Sequence, residues 1–193
     1  HLFANRLNQQ LGTPRLHKLT VIERDILDCD LYKEPFSQNT HFVMGNLPYQ
    51  ISSQIIFWLM NNRKTVYGAL FMLQTEMADR ICAKPNTKSY APITILANLL
   101  FTISKCFGIS PNVFYPKPKV RSTVISLHPR PLENILDAEL NSFGDFLKKC
   151  FHARRKTLFN NLKALNFPLL QLPKFFEKEG IHKDVRAEAL TSG

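Results

Sequence analysis

Seven glycines in 193 residues, at positions 12, 45, 68, 108, 144, 180 and 193, never form a G-x-G pair. A glycine-rich phosphate or nucleotide cradle is therefore excluded within these residues. Cysteine is as sparse. Cys29, Cys82, Cys106 and Cys150 make no C-x-x-C, and no H-x3-5-H accompanies them. That argues against a zinc site and for a reducing compartment, so the expected location is the cytoplasm and no metal is expected. No apolar run approaches the roughly 18 residues of a membrane span. The longest candidate, Ile51 to Met60, is interrupted by Ser52, Ser53 and Gln54. The opening residues do not read as a secretory signal. Acids are the last deficit. Against 25 Lys+Arg stand 15 Asp+Glu, a formal charge of +10 that is unevenly spread and points to a polyanionic partner.

An apolar fraction of 45% and a charged fraction of 21% suit a globular chain with a core of ordinary size. Five stretches read as strands: Lys18 to Ile26, His41 to Leu47, Val66 to Gln74, Phe101 to Ile109 and Thr123 to His128. Val66 to Gln74 is almost continuously apolar, as in a strand buried on both faces. Helical spacing falls between them, over His1 to Leu11, Ser52 to Met60, Thr75 to Ala83 and Pro92 to Leu100. Ser52 or Ser53 is the expected N-cap of the second. Strands alternating with helices predict a parallel α/β sheet. After Pro131 the spacing is wholly helical, over Asp137 to Leu165 (broken near Gly144), Leu169 to Glu179 and from Lys183 onward. The expected organisation is an α/β domain over residues 1–130 and a small all-helical domain over 131–193.

The sharpest chemical signal is Gly45-Asn46-Leu47-Pro48-Tyr49, directly after a strand. Ligands of open α/β sheets sit at the carboxyl ends of strands. Pro48 fixes its own φ and holds Leu47 extended, giving the Asn46 side chain and the Leu47 carbonyl defined directions. Two acceptors and the flat ring of Tyr49 suit a planar base with an exocyclic amine. A strand-to-turn transition with a buried tyrosine would read the same way in these few letters.

A second signal is basic. From Phe146 to Phe176 there is no acidic residue. On one continuous helix, Lys149, His152, Lys156, Asn160 and Lys163 would form a polar stripe, and Phe151, Leu158, Leu162 and Leu165 a packing stripe. Lys149, His152, Arg154, Arg155, Lys156 and Lys163 are the candidate RNA contacts, against the plainer reading of a solvated face.

The stretch MGNLPYQIS resembles motif IV of adenine-N6 methyltransferases, (N/D/S)-(L/P)-P-(Y/F/W). Five further stretches are similar, in order and spacing, to the small-subunit ribosomal RNA adenine dimethyltransferases. They are RDIL at 24–27, FMLQTEMADRICAKPNTKSY at 71–90, SPNVFYPKPKVRSTVISL at 110–127, FHARRKTLFNNL at 151–162 and GIHKDVRAEAL at 180–190. The resemblance implies a Rossmann-like class I methyltransferase sheet with a helical C-terminal domain. It also implies dimethylation of N6 on two adjacent adenines of small-subunit ribosomal RNA, with S-adenosylmethionine as donor, and a link to ribosome biogenesis. Asn46 and Leu47 would accept the amine protons, Pro48 would set the turn, and Tyr49 and Phe114 would stack on the flipped base. Asp25, with Ile26 beside it, matches the acid that holds the cofactor's adenine, and Asn46 lies near the cofactor too.

Departures from the family pattern accompany the match. Ala91 replaces a common glycine, Arg121 stands where an acid is frequent, and Ala153 where a glutamine is. The opening HLFA resembles the helix following the second-strand acid, so the first strands and the glycine loop are expected to precede His1 in a longer polypeptide. These residues alone are expected to be inactive. The partner implied is the small ribosomal subunit or its precursor, met by a monomer. The competing readings are a large-subunit ribosomal RNA adenine methyltransferase and a non-catalytic nucleic-acid binder such as the related mitochondrial transcription factors.

Overall fold

The structure is a computed structural model that describes residues 21–131, 137–164 and 171–190. Two compact units divide the chain, His1–Gln38 and Asn39–Gly193. In the first, the expected strand over Lys18 to Ile26 does not form in its described part. Residues 21–25 lack a ladder partner among the described residues, and Ile26–Asp28 is a 3-10 turn. The cause is local. The Asp25 carboxylate accepts from the Leu27 N–H at 2.9 Å, and the Cys29 N–H bonds the Ile26 carbonyl at 3.1 Å. An Asp that captures a nearby backbone donor diverts the chain from a ladder into a turn. Residues 18–20 and the helix expected over His1 to Leu11 lie outside the described residues.

The second unit carries a four-stranded sheet. Its strands are β1 (His41–Asn46), β2 (Val66–Gln74), β3 (Phe101–Ile109) and β4 (Ser122–Pro129), in the order β1-β2-β4-β3. Only β1 and β2 run parallel, and β4 is antiparallel to both β2 and β3. The expectation of a parallel sheet thus fails at one strand, β4, which runs against the other three. A parallel return needs a crossover, usually a helix. Between β3 and β4 the chain offers Ser110 to Arg121, whose prolines at 111, 116 and 118 exclude one.

Helices α1 (Ser52–Asn61), α2 (Thr75–Ile81) and α3 (Pro92–Leu100) join the strands. Ala69, Phe71 and Leu73 of β2, Ile125 and Leu127 of β4 and Phe101 of β3 are fully buried, as are Ile56, Leu59, Ala78, Ile81 and Ala97 of the helices. Each large side chain removed from water contributes about 1.5–3 kcal/mol. On the opposite face Phe42, Met44 and Phe107 stay exposed. Gly68 is required there: a Cβ would come within 2.8 Å of the Phe42 ring.

Side chains close the helix ends. The Thr94 hydroxyl accepts from the Ala91 N–H and donates to the Arg80 carbonyl, at 3.0 and 2.6 Å. The Asn98 amide donates to the Ile81 and Thr94 carbonyls. These bonds stitch α3 to the end of α2 by satisfying carbonyls that a helix terminus leaves open. Neither serine caps α1. Ile51 occupies the N-cap position without a side-chain bond, and Ser52 donates backwards to the Tyr49 carbonyl at 3.2 Å.

Beyond the sheet lie α4 (Asp137–Cys150), α5 (Leu158–Ala164) and α6 (Leu172–Lys178). Their own cluster contains Cys150, Leu158, Leu162, Leu172 and Phe176. The long helix expected from Asp137 to Leu165 is two helices, and the break falls at 151–157 rather than at Gly144. Asn161, 2% exposed, explains the break. Its Oδ1 accepts from the Ala153 N–H at 3.1 Å, and its Nδ2 donates to the Cys150 and Ala153 carbonyls at 2.9 and 3.1 Å. One amide thereby serves the backbone groups exposed by ending α4. The α6 terminus is a Schellman turn: Ile181 N–H to the Phe176 carbonyl at 2.8 Å and Gly180 N–H to the Glu177 carbonyl at 3.2 Å, with Gly180 at φ +62°. The stretch from Lys183 is turn, then a 3-10 helix at Ala187–Ala189, not the start of an α-helix.

Candidate active site

Asn46 ends β1 opposite Met72 of β2, and the Leu47 N–H donates to the Met72 carbonyl at 2.8 Å. Leu47 is buried, while Asn46, Pro48 and Tyr49 are exposed. The turn then folds on itself. The Ile51 N–H takes the Pro48 carbonyl at 3.2 Å, and Ser52 Oγ takes the Tyr49 carbonyl. Two of the three carbonyls after Asn46 are thus occupied, and among the described residues no donor is paired with that of Leu47.

A cavity of about 360 Å³ opens at this strand end. One side is Asn46, Leu47, Pro48 and Tyr49; the other is Phe114, Tyr115, Pro116 and Pro118, with Met72 and Ser122 between. The second side is held in place by a chain of contacts. Ser110 Oγ accepts from the Asn112 N–H, and the Phe114 N–H bonds the Pro111 carbonyl, both at 3.3 Å. At the loop's far end the Thr75 N–H takes the Arg121 carbonyl at 3.0 Å, and the Thr75 and Thr123 hydroxyls lie 2.9 Å apart. Tyr49 Oη stands 3.5 Å from Ser122 Oγ across the floor. Among the described residues no Asp, Glu, His, Lys or Arg lines the cavity. Its chemistry is that of neutral acceptors and flat rings.

The structure brings together five of the residues expected at the site: Asn46, Leu47, Pro48, Tyr49 and Phe114. Met72, Tyr115, Pro116, Pro118 and Ser122 line it without having been singled out. Asp25 and Ile26 belong to the first unit, where Asp25 holds the N-cap position of the 3-10 turn. A larger cleft of about 560 Å³, lined by Phe57, Arg63, Leu96, Leu140 and Lys148 among others, holds none of the expected residues.

The basic residues do not form one helix face. Lys149 is in the last turn of α4; His152, Arg154, Arg155 and Lys156 follow in the turn; Lys163 is on α5, and all six are exposed. Arg154 differs from the rest. Its guanidinium bonds the Glu188 carboxylate at 2.9 Å and the Lys88 carbonyl at 2.7 Å. The Asn86 N–H bonds the Glu188 carbonyl at 2.7 Å, and Tyr90 Oη donates to the Leu190 carbonyl at 2.9 Å. Arg154 therefore ties the turn, the 86–90 loop and the last described segment together. Burial pushes the Cys150 thiol up to about 11 and raises the Tyr90 phenol. Among the described residues no three His, Cys, Asp or Glu gather where a metal could sit, and no helix is long and apolar enough to cross a membrane.

A parallel β1/β2 pair, an antiparallel β4 and β3 beside it and a cavity at the carboxyl end of β1 define a Rossmann-like methyltransferase fold. A solved dimethyladenosine transferase from Plasmodium falciparum shares it, with a TM-score of 0.77 and 25% identity over 97% of this chain and 72% of that one. The chain belongs to the ribosomal RNA adenine dimethylase family, whose model matches residues 1–193. It is 42% identical to a ribosomal RNA small subunit methyltransferase A of Malacoplasma penetrans, over 89% of this chain and 61% of that protein. The corresponding protein of Acidobacterium capsulatum is 34% identical, over 98% and 69%. The chain thus spans about three fifths to two thirds of the length of these curated relatives.

Proposed function

We propose that the protein transfers methyl groups from S-adenosylmethionine to N6 of two adjacent adenines in small-subunit ribosomal RNA, as a monomer acting in the cytoplasm during ribosome biogenesis. Residues 1–130 would belong to the catalytic domain and 131–193 to the RNA-binding domain. The observation that carries the reading is the cavity itself: Asn46 at a strand end, Tyr49 and Phe114 on facing segments, and no charged group among the described residues of the lining.

Asn46 Oδ1 and the Leu47 carbonyl accept the two N6 hydrogens. Bonds to both hydrogens favour a pyramidal nitrogen and free its lone pair from the ring. Tyr49 and Phe114 hold the flipped base, with stacking worth about 1–3 kcal/mol per base against an unstacking cost of a few. The methylated nitrogen is cationic and its proton acidic, so water suffices to remove it, in keeping with a lining free of carboxylates and histidines. S-adenosylmethionine, when bound, supplies an electrophilic methyl on a sulfonium. Within the first unit the Asp25 carboxylate, which accepts from the Leu27 N–H, suits the cofactor's adenine amino group, with Ile26 beside it. Within the second unit Asn46 offers an amide of the kind such a cofactor takes. The exposed cations Lys149, His152, Arg155, Lys156 and Lys163 supply phosphate contacts.

The test is Asn46→Ala in the full-length protein, with methyl incorporation and RNA affinity measured together. Turnover should fall by about 10²-fold or more, the cost typical of removing a preorganised hydrogen-bonding group at a reacting centre. RNA affinity should hold, because Asn46 touches no phosphate. Unchanged turnover would sink the assignment.

A further inference from the structure

Beside Phe114 stands a ring that folding does not use. Tyr115 is 102% exposed and lines the mouth of the 360 Å³ cavity. Among the described residues it has no hydrogen bond and no ring partner. An aromatic left wholly in water contributes nothing through burial. Pro116 restricts the Tyr115 backbone to extended conformations, and Pro118 stiffens the loop beyond it, so the loop has little freedom to refold over the ring. Its surroundings are cationic. Lys117, Lys119 and Arg121 are exposed, and no Asp or Glu occurs from Arg80 to Leu132.

We propose that Tyr115 is a stacking platform for the nucleotide next to the target adenine, with Lys117 and Lys119 on that nucleotide's phosphates. The inference rests on the reading of the cavity as an adenine site. Extruding an adenine removes one stacking partner from each neighbouring base. An aromatic face at the rim, one residue from the ring that grips the target, replaces one of them. Stacking of this kind tolerates any base, because every base has a π-face. Tyr115 therefore sets affinity and register rather than the chemistry.

Steady-state methylation by the full-length protein tests it, with three RNAs that each carry a single target adenine, the other target being replaced by a different base: intact, abasic on the 5′ side of the target, and abasic on the 3′ side. Tyr115→Ala should raise KM on intact RNA by about 5- to 140-fold, the stacking range at tenfold per 1.4 kcal/mol. Its kcat should stay within about twofold, the signature of uniform binding. Tyr115→Phe should behave as the parent, since the hydroxyl is not used. One of the abasic RNAs should weaken the parent protein but add no further loss to Tyr115→Ala, because the two deletions remove the same contact. An unchanged KM, or a loss that adds fully on both abasic RNAs, overturns the proposal. Asn46→Ala in the same assay separates the two failures: if it remains active, the adenine site is misassigned, whereas an inactive Asn46→Ala beside a silent Tyr115→Ala removes only the platform.

Discussion

Replacing Asn161 with leucine, which has a similar shape, tests how the helical segment is built. The substitution deletes three hydrogen bonds at once: from the Ala153 N–H, and to the Cys150 and Ala153 carbonyls. A net 0.5–1.5 kcal/mol per bond gives about 2–4 kcal/mol in all, with water recovering part at the half-buried Ala153. For a chain of this length each kcal/mol moves the melting temperature by about 2–4 °C, so a drop of about 5–15 °C is expected. Asn161→Asp should be at least as damaging. It keeps an acceptor for the Ala153 N–H but aims a carboxylate oxygen at two carbonyls. Thermal unfolding followed by far-UV circular dichroism reads both, with Asn160→Leu, an exposed neighbour, as the control. A melting temperature within about 1 °C of the parent for Asn161→Leu would refute the claim that this amide ends α4 and sets the turn.

Other expectations follow from single contacts. Gly68→Ala should destabilise by about 1–3 kcal/mol in urea unfolding, because its Cβ overlaps the Phe42 ring. Gly144→Ala should stabilise by about 0.5–1 kcal/mol, since a Cβ inside α4 meets only Leu96 at an ordinary 3.7 Å. The Cys150 thiol, raised from 9.0 to about 11 by burial, contributes stability that is fully present below pH 9 and is lost as pH rises towards 11; Cys150→Ala should flatten that part of the stability–pH curve relative to the parent. Arg155→Ala with Lys156→Ala should lower the salt slope of RNA binding by roughly 1.4–1.8, at 0.7–0.9 per lost phosphate contact. Arg154→Met should instead lower the melting temperature with little change in slope, through its bonds to Glu188 and Lys88.

Strand and helix periods in the sequence were enough to place β1 to β4 and α1 to α3 within a residue or two, because their apolar positions are decided by one packed face. Asn46 to Tyr49 and Phe114 were legible because a proline-locked turn after an apolar strand carries its geometry in a few letters. What the letters hid is tertiary. The parallel expectation ignored that a proline-rich loop cannot make a crossover. The helical spacing from Asp137 to Leu165, with its break expected near Gly144, does not reveal Asn161, whose bonds to Cys150 and Ala153 span up to eleven residues and set the break at 151–157. Arg154 read as one more cation in a basic run, because its partner Glu188 lies 34 residues away. Ser122, Met72 and Tyr115 give no local sign of lining a cavity; the first two reach it through the pairing of β2 with β4, and Tyr115 through the loop that leads into β4.

That pairing governs when the cavity exists at all during folding. The contact between Tyr49 and Ser122 joins residues 73 apart in the chain. The β3–β4 pair closes over a short loop, whereas β2 meets β4 only after the intervening 75–121 segment has been brought round, and closing longer loops costs more entropy. β2 also sits between β1 and β4, so within the sheet it connects the strand that carries the Asn46 wall to the strand that follows the Phe114 loop. A chain with only its local hairpin and helices formed owns both walls and no cavity between them. Any fluctuation that frees β2 from either neighbour dismantles the site while leaving most secondary structure intact. Protection of the β2 amides in hydrogen exchange is therefore the physical measure of how much of the time this protein can hold a base.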